Sequence, residues 1–136
     1  MKLIPLVLMS VVLAATPSQD RPNRHEATQL GMNAAAGKEL QAIDAEMAGV
    51  LDKLLTKAAG RAEPIAKLNK AQAAWTTYRD AQVEAMWPFP ERQAYGSAYP
   101  MCVADARTSL TKMRVTELRA MLERVEGNVC NSQWPE

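Results

Sequence analysis

Residues 71–80 read AQAAWTTYRD, and they carry the clearest structural signal in this 136-residue chain. In a helix, Gln72, Trp75 and Arg79 share one face, because side chains three and four residues apart are neighbours. The pattern predicts either the edge of a packed face, with the Arg79 stem over Trp75 and its head in water, or the polar centre of a helical bundle. The whole stripe at this core-facing spacing is Ile65, Leu68, Gln72, Trp75, Arg79, Gln82 and Met86.

The first fifteen residues, MKLIPLVLMSVVLAA, have a charged start, an apolar run and small residues at the end. This plan is typical of a cleaved signal peptide, and the run is shorter than the ~20 apolar residues needed to span a bilayer. We predict cleavage after Ala14 or Ala15, a flexible lead-in over 16–24, and a periplasmic or secreted protein without a membrane span.

The charge of the chain is balanced, with 16 basic and 15 acidic residues. Loss of Lys2 with the leader leaves 15 of each. Nucleic acid is therefore not an expected partner, since that binding requires a concentrated basic surface. A polybasic membrane-binding face is not expected either.

Two helices are predicted at about 35–58 and 63–86, from apolar residues at helical spacing and from the prolines that follow Trp87. Residues 25–36 are either a separate short helix or a continuation, with Gly37 as the natural bend. Gly60 suits a helix end and Pro64 the first turn of a helix. The short connection predicts that these helices pack antiparallel.

A third helix is predicted from Met101 to Glu126, with Ser97 as its N-cap, Gly127 as its stop and 127–136 as a C-terminal tail. The fold class is therefore all-α, a small three-helix antiparallel bundle over 25–126. The inner face of this helix is predicted to consist of Leu110, Met113, Arg114, Glu117, Leu118, Met121, Leu122 and Val125.

Charged residues on three helices could form one network around Trp75. The pairings we expect first are Asp44 with Arg114 and Glu117 with Arg79, because an arginine fork engages a carboxylate through two donors. Asp80 belongs to the same set. The alternative is a group of ordinary surface charges, whose pairs contribute little.

The sequence offers little support for a catalytic site or a metal site. The one histidine, His25, lies near the flexible start, so a nucleophile would have no evident base. The two cysteines are 28 residues apart and form no metal-ligand spacing. We expect neither an enzyme nor a cofactor.

The loop 87–100 is the predicted interaction surface. It combines four aromatic residues with Arg92 between prolines, a composition typical of interface anchors. Alternatively, the aromatic side chains fold back and cover the end of the bundle. The four aromatic residues are Trp87, Phe89, Tyr95 and Tyr99.

A spaced series of motifs also runs along the chain: Asp44 in AIDAEM, AQAAW followed by YRD, Gly96-Ser97, Cys102, and LTKMRVTEL at 110–118. Together they resemble the LprI-like lysozyme inhibitors, small helical proteins of the bacterial envelope, over roughly residues 25–122. The most specific matches are Gln72, Trp75, Arg79, Asp80, Gly96, Ser97, Thr111 and Arg114. Thr28-Gln29 and Met32-Asn33 are similar to the opening segment of the family.

The resemblance departs at the cysteines, since Val83 stands where the family usually has a partner for Cys102. Cys130 is not expected to replace that partner. A continuous helix over 101–126 is ~38 Å long, whereas four further residues reach back at most ~14 Å. A disulfide requires Cα atoms within about 7 Å.

The resemblance implies an exported, non-enzymatic lysozyme inhibitor. A side chain of the 87–100 loop such as Arg92 could block the lysozyme cleft, which holds two carboxylates. The alternative is a structural or stress-related interaction module that binds another envelope protein and does not inhibit lysozyme.

Overall fold

A computed structural model describes residues 24–135 of the chain, with side chains from residue 28 onward. The predicted signal peptide and all but the last residue of the lead-in lie outside this range. The described residues form α1 (Arg24–Lys57), α2 (Ala62–Met86) and α3 (Tyr99–Leu122), with a short 3-10 helix at Arg92–Tyr95. The predicted all-α class is confirmed, and none of these helices is long and apolar enough to cross a membrane.

Helix α1 is continuous through Gly37, so residues 25–36 continue the helix and do not form a separate one. Gln29 and Ala36 are both buried, and this packing offsets the low helix propensity of the glycine. The turn after α1 requires Gly60, whose φ of 79° is unfavourable for a side chain with a Cβ.

The three helices alternate in direction. Asp44 of α1 contacts Arg79 of α2, and Met47 contacts Gln72, as expected for antiparallel neighbours. Helix α3 runs antiparallel to α2 and parallel to α1, as the Lys112–Glu39 and Arg119–Glu46 ion pairs show. Helices α1 and α3 form the closest pair in the bundle.

The apolar core fills the half of the bundle nearest the α1–α2 turn. Leu54 and Leu118 are completely buried at its centre. The buried cluster consists of Ile43, Val50, Leu54, Leu68, Val115 and Leu118, with Leu40, Met47, Leu51, Leu55, Met121, Leu122 and Trp134 packed around it.

The inner faces of α2 and α3 differ in part from those predicted. On α2, Gln82 and Met86 are exposed, and Val83 is buried in their place. Both Gln82 and Val83 are at helical spacing from Arg79, and the apolar side chain takes the inner position because it gains more from leaving water. On α3, Met113 and Glu117 are exposed, whereas Thr108 and Thr111 are buried.

Helix α3 is also shifted at both ends. Its N-cap is Ala98, without a side-chain hydrogen bond, so Ser97 is not the cap. The helix ends at Leu122, and Val125 is exposed. The early end allows the C-terminal segment to turn back, so that Trp134 packs against the core and its indole N–H donates to the Leu54 carbonyl at 2.8 Å.

Candidate functional site

Arg79 lies at the centre of a group that we call the polar strip: Asp44, Gln72, Trp75, Arg79, Asp80, Thr111, Arg114 and Glu117. Its Nη1 donates to Asp44 Oδ1 at 3.0 Å and to Thr111 Oγ1 at 3.2 Å. The Thr111 hydroxyl donates to the same Asp44 oxygen at 3.4 Å. Thr111 is fully buried, so these three groups link all three helices through a closed triangle of hydrogen bonds.

Arg114 forms the second part of the polar strip. Its Nε donates to Gln72 Oε1 at 3.2 Å, and its Nη1 donates to Glu117 Oε2 at 3.0 Å. The Gln72 amide in turn donates to the sulfur of Met47 at 3.5 Å. Arg114 therefore ties α3 to α2, while Gln72 reaches on to α1.

Trp75 lies between the two arginines along the strip. The guanidinium carbons of Arg79 and Arg114 are 5.1 Å and 5.9 Å from the centroid of the indole ring. A cation within about 6 Å of an aromatic face is attracted by the ring quadrupole. The indole thus supports both guanidinium groups, in agreement with the bundle-centre interpretation of residues 71–80.

Asp80 lies at the exposed side of the strip. Its Oδ1 is 3.8 Å from Arg79 Nε and 3.4 Å from Arg107 Nη2. The Nε atoms of both arginines are buried, and among the described residues neither has a hydrogen-bond partner. Asp80 therefore compensates two positive charges at longer range.

The structure brings all eight predicted residues into one strip, but with the carboxylates exchanged. Asp44 pairs with Arg79, and Glu117 pairs with Arg114, the reverse of the expected pairings. The antiparallel register of α1 and α2 sets Asp44 opposite Arg79. Glu117 lies one turn from Arg114 on α3 and is 63% exposed, so that pair is at the surface.

The loop between α2 and α3 contains what we call the aromatic ladder, Phe89, Tyr95, Tyr99 and Trp87 in spatial order. Phe89 and Tyr95 stack with ring centroids 6.5 Å apart, Tyr95 and Tyr99 stack at 5.2 Å, and Trp87 meets Tyr99 edge-on at 5.8 Å. The backbone N–H of Phe89 donates to the Tyr95 hydroxyl at 2.7 Å. These contacts fix the loop without a disulfide.

Each of the two interpretations of the loop describes part of the aromatic ladder. Trp87, Tyr95 and Tyr99 are half-buried against one another, whereas Phe89 is 66% exposed. Arg92 is exposed at the start of the short 3-10 helix, and no carboxylate of the described residues lies within 4.0 Å of it.

The base of the loop is anchored at Gly96 and Ser97. Gly96 has a φ of 77°, which favours glycine, and its carbonyl accepts from the N–H of Tyr99 at 3.2 Å. The Ser97 carbonyl accepts from Asn33 Nδ2 of α1 at 3.1 Å. These two residues therefore connect the aromatic ladder to the bundle.

Both thiols are free. Cys102 is half-buried in the first turn of α3, and Cys130 is exposed in the C-terminal segment. The described residues hold no group of three or more His, Cys, Asp or Glu side chains arranged for a metal ion.

Two contributing residues, Arg107 and Trp134, were not predicted from the sequence, and Asn33 was named for its likeness to the family's opening segment but not for its contact with Ser97. Arg107 precedes Thr111 by four residues and Arg114 by seven, so helical spacing alone could have placed it on the same face. Trp134 is a single aromatic residue in a polar segment, and its size favours packing.

The sequence pattern of a known family, described as lysozyme inhibitor LprI, matches residues 20–118. The chain is also 32% identical over 133 residues to "Uncharacterized protein R02472" of Rhizobium meliloti (strain 1021), covering 89% of this chain and 94% of that protein. No solved structure matches the chain. The polar strip and the aromatic ladder both lie within the family match, whereas Trp134 lies outside it.

Proposed function

The chain belongs to the LprI family of lysozyme inhibitors, and on that premise we propose that it is an exported, non-enzymatic protein that inhibits a lysozyme. The observation that carries the proposal is the exposed Phe89 and Arg92 on a loop fixed by the aromatic ladder. The charged start, the apolar run and the small residues at the end of 1–15 support export to the periplasm or beyond.

The chemistry of Arg92 suits the target. A lysozyme cleft has two catalytic carboxylates, and a guanidinium can engage a carboxylate through two parallel hydrogen bonds. Arg92 is exposed and has no competing carboxylate within 4.0 Å among the described residues, so its charge is available. We propose that it enters the cleft and blocks access to the carboxylates.

Phe89 supplies the apolar part of the contact. Arginine and aromatic residues dominate the energetics of protein interfaces when they are placed on a rigid support. Here Tyr95 holds Phe89 through both the ring stack and the hydrogen bond to its N–H. Little conformational freedom remains to be lost on binding, which favours affinity.

The polar strip has a structural role in this proposal. Its arginines are engaged by Asp44, Thr111, Gln72 and Glu117 within the bundle, and its side chains connect the helices that carry the loop. The hydroxyl of Thr111 is fully buried and bonded to Arg79 and Asp44 within the strip, which supports a structural role for it.

A lytic assay with the purified exported protein and several lysozyme types tests the proposal. We expect inhibition at micromolar protein and at least about tenfold weaker inhibition by Arg92→Ala and by Phe89→Ala. Lys38→Ala is the matched control, because Lys38 is also exposed but lies on α1. Inhibition that is unaffected by both loop substitutions would contradict the role of the loop.

The second candidate is an interaction module of the envelope that does not inhibit lysozyme. The balanced charge of the mature chain favours it, since a neutral protein has no long-range attraction for a cationic lysozyme. Folded exported protein that fails to inhibit any of the lysozymes would support this candidate over the first.

A further inference from the structure

The outer face of α2, which we define as Ala71, Ala74, Tyr78, Ala81 and Ala85, carries no charge and is exposed along its whole length. Only Leu68 and Val83 of this 25-residue helix are buried. Tyr78, at the middle of the face, is 54% exposed. An exposed, uncharged helix face that carries a large aromatic side chain is typical of an interaction surface.

The spacing of the outer face favours another helix as the occupant. Its residues follow one another by three, four, three and four positions, which is the seam of a two-helix coiled coil. Alanine on both sides of the tyrosine permits close approach of two backbones. The core-facing side of α2 uses other residues, so this seam is additional to the one that packs within the bundle.

The outer face is also complementary to itself. A second copy of α2, placed antiparallel across a two-fold axis near Tyr78, sets Ala71 opposite Ala85 of the second copy and Ala74 opposite Ala81. An interface of this kind uses the same surface on both subunits. The tyrosines then meet near the axis, where aromatic side chains contribute most to binding.

The charges beside the outer face agree with this orientation. Lys70 and Glu84 lie seven residues to either side of Thr77, along one edge of the helix. Both are exposed, and no opposite charge of the described residues lies within 4.0 Å of either. In the antiparallel pair, the two-fold axis places this edge of both helices on the same side of the dimer. Lys70 of each copy therefore faces Glu84 of the other copy, which gives two such pairs in each dimer. In a parallel pair the two-fold axis would instead place this edge of the two copies on opposite sides, so that Lys70 and Glu84 would not meet.

We propose that the outer face of α2 is the interface of an antiparallel homodimer of this chain. The proposal is independent of lysozyme inhibition. In the dimer the two 87–100 loops lie at opposite ends of the helix pair, about 27 Å apart along the axis at 1.5 Å per residue. Each loop therefore remains accessible.

Sedimentation velocity of the exported protein over about a hundredfold range of concentration tests the proposal, because dimer formation follows mass action. We expect a reversible monomer–dimer equilibrium. Lys70→Glu should weaken dimerisation about tenfold, since it replaces two attractions by two repulsions. The double exchange Lys70→Glu with Glu84→Lys should restore it. Lys38→Glu on α1 is the control and should leave it unchanged.

A cysteine at the axis provides a second measurement. Tyr78→Cys, in a chain whose own cysteines are replaced by serine, should form a covalent dimer on oxidation, because the two copies bring this position together. Circular dichroism establishes that each variant is folded. A wild-type monomer at every concentration, association beyond two copies, or equal dimerisation by Lys70→Glu and the double exchange would overturn the proposal.

Discussion

Arg79 donates to Asp44 and Thr111, one on each of the other helices, from a side chain that is only 14% exposed. Arg79→Ala leaves the Asp44 carboxylate and the buried Thr111 hydroxyl without this donor and removes one of the two cations beside the Trp75 ring. We expect the free energy of unfolding to fall by about 2 kcal/mol. Urea denaturation followed by circular dichroism measures this change.

Lys67→Ala is the matched control, because it removes an ion pair that is exposed at both ends. The hydrogen bond and the charge of Lys67 lower the pKa of Glu63, so this pair is present at neutral pH and is lost as the pH falls through the lowered pKa. At neutral pH the substitution should leave stability nearly unchanged. Equal losses for both substitutions would show that Arg79 has no special role in the bundle.

The residues of the polar strip could be predicted from the sequence, whereas their pairings could not. Helical spacing places Gln72, Trp75 and Arg79 on one face, and this depends on α2 alone. The choice of carboxylate for Arg79 lies between Asp44 of α1 and Glu117 of α3, and it depends on the register in which the three helices pack. No local pattern encodes that register.

The α1–α2 turn depends on Gly60, whose φ is 79°. Gly60→Ala meets no atom within 4 Å of the new Cβ, so its effect comes from the backbone conformation alone. We expect a loss of about 1 kcal/mol in the free energy of unfolding. Thermal unfolding measured by calorimetry checks this value.

Gly49→Ala is the matched control for Gly60→Ala, because Gly49 is a glycine within a helix. It lies within α1, is exposed, and has no atom within 4 Å of the position of an added Cβ. Gly49→Ala should therefore raise the free energy of unfolding by about 0.5–1 kcal/mol, because alanine restricts the unfolded chain and favours the helix. A decrease for this substitution would contradict the description of α1 as a regular, exposed helix at this position.

The helices could be predicted from short-range signals in the sequence, but the positions of their ends could be predicted less well. The prolines after Trp87 and the glycine at position 60 place the end of α2 and the first turn correctly. Helix α3 ends at Leu122, although no glycine or proline occurs between Met101 and Glu126. There the contact of Trp134 with the core competes with continuation of the helix, and that contact is distant in sequence.

The C-terminal segment that contains Trp134 covers one end of the core. It lies outside the family match, which ends at residue 118. Trp134 lies against the apolar cluster and donates to the carbonyl of Leu54, which also accepts from the N–H of Ala58 at 3.1 Å. The C-terminal segment thus covers the core beside the α1–α2 turn. Composition alone predicted a tail, because the segment is polar and rich in turns apart from this one large side chain.

Trp134→Ala removes the hydrogen bond to Leu54 and opens this end of the core to water. Because the indole is half-buried, we expect a loss of about 2 kcal/mol in the free energy of unfolding, with faster amide hydrogen exchange in the last turns of α1. Val129→Ala is the control, since Val129 belongs to the same segment and is 84% exposed. Trp134→Phe keeps an aromatic ring at this position but removes the N–H donor, so it separates the contribution of burial from that of the hydrogen bond. This variant should retain most of the stability if burial contributes more than the hydrogen bond. Unchanged exchange around Leu54 in Trp134→Ala would contradict closure of the core by this segment.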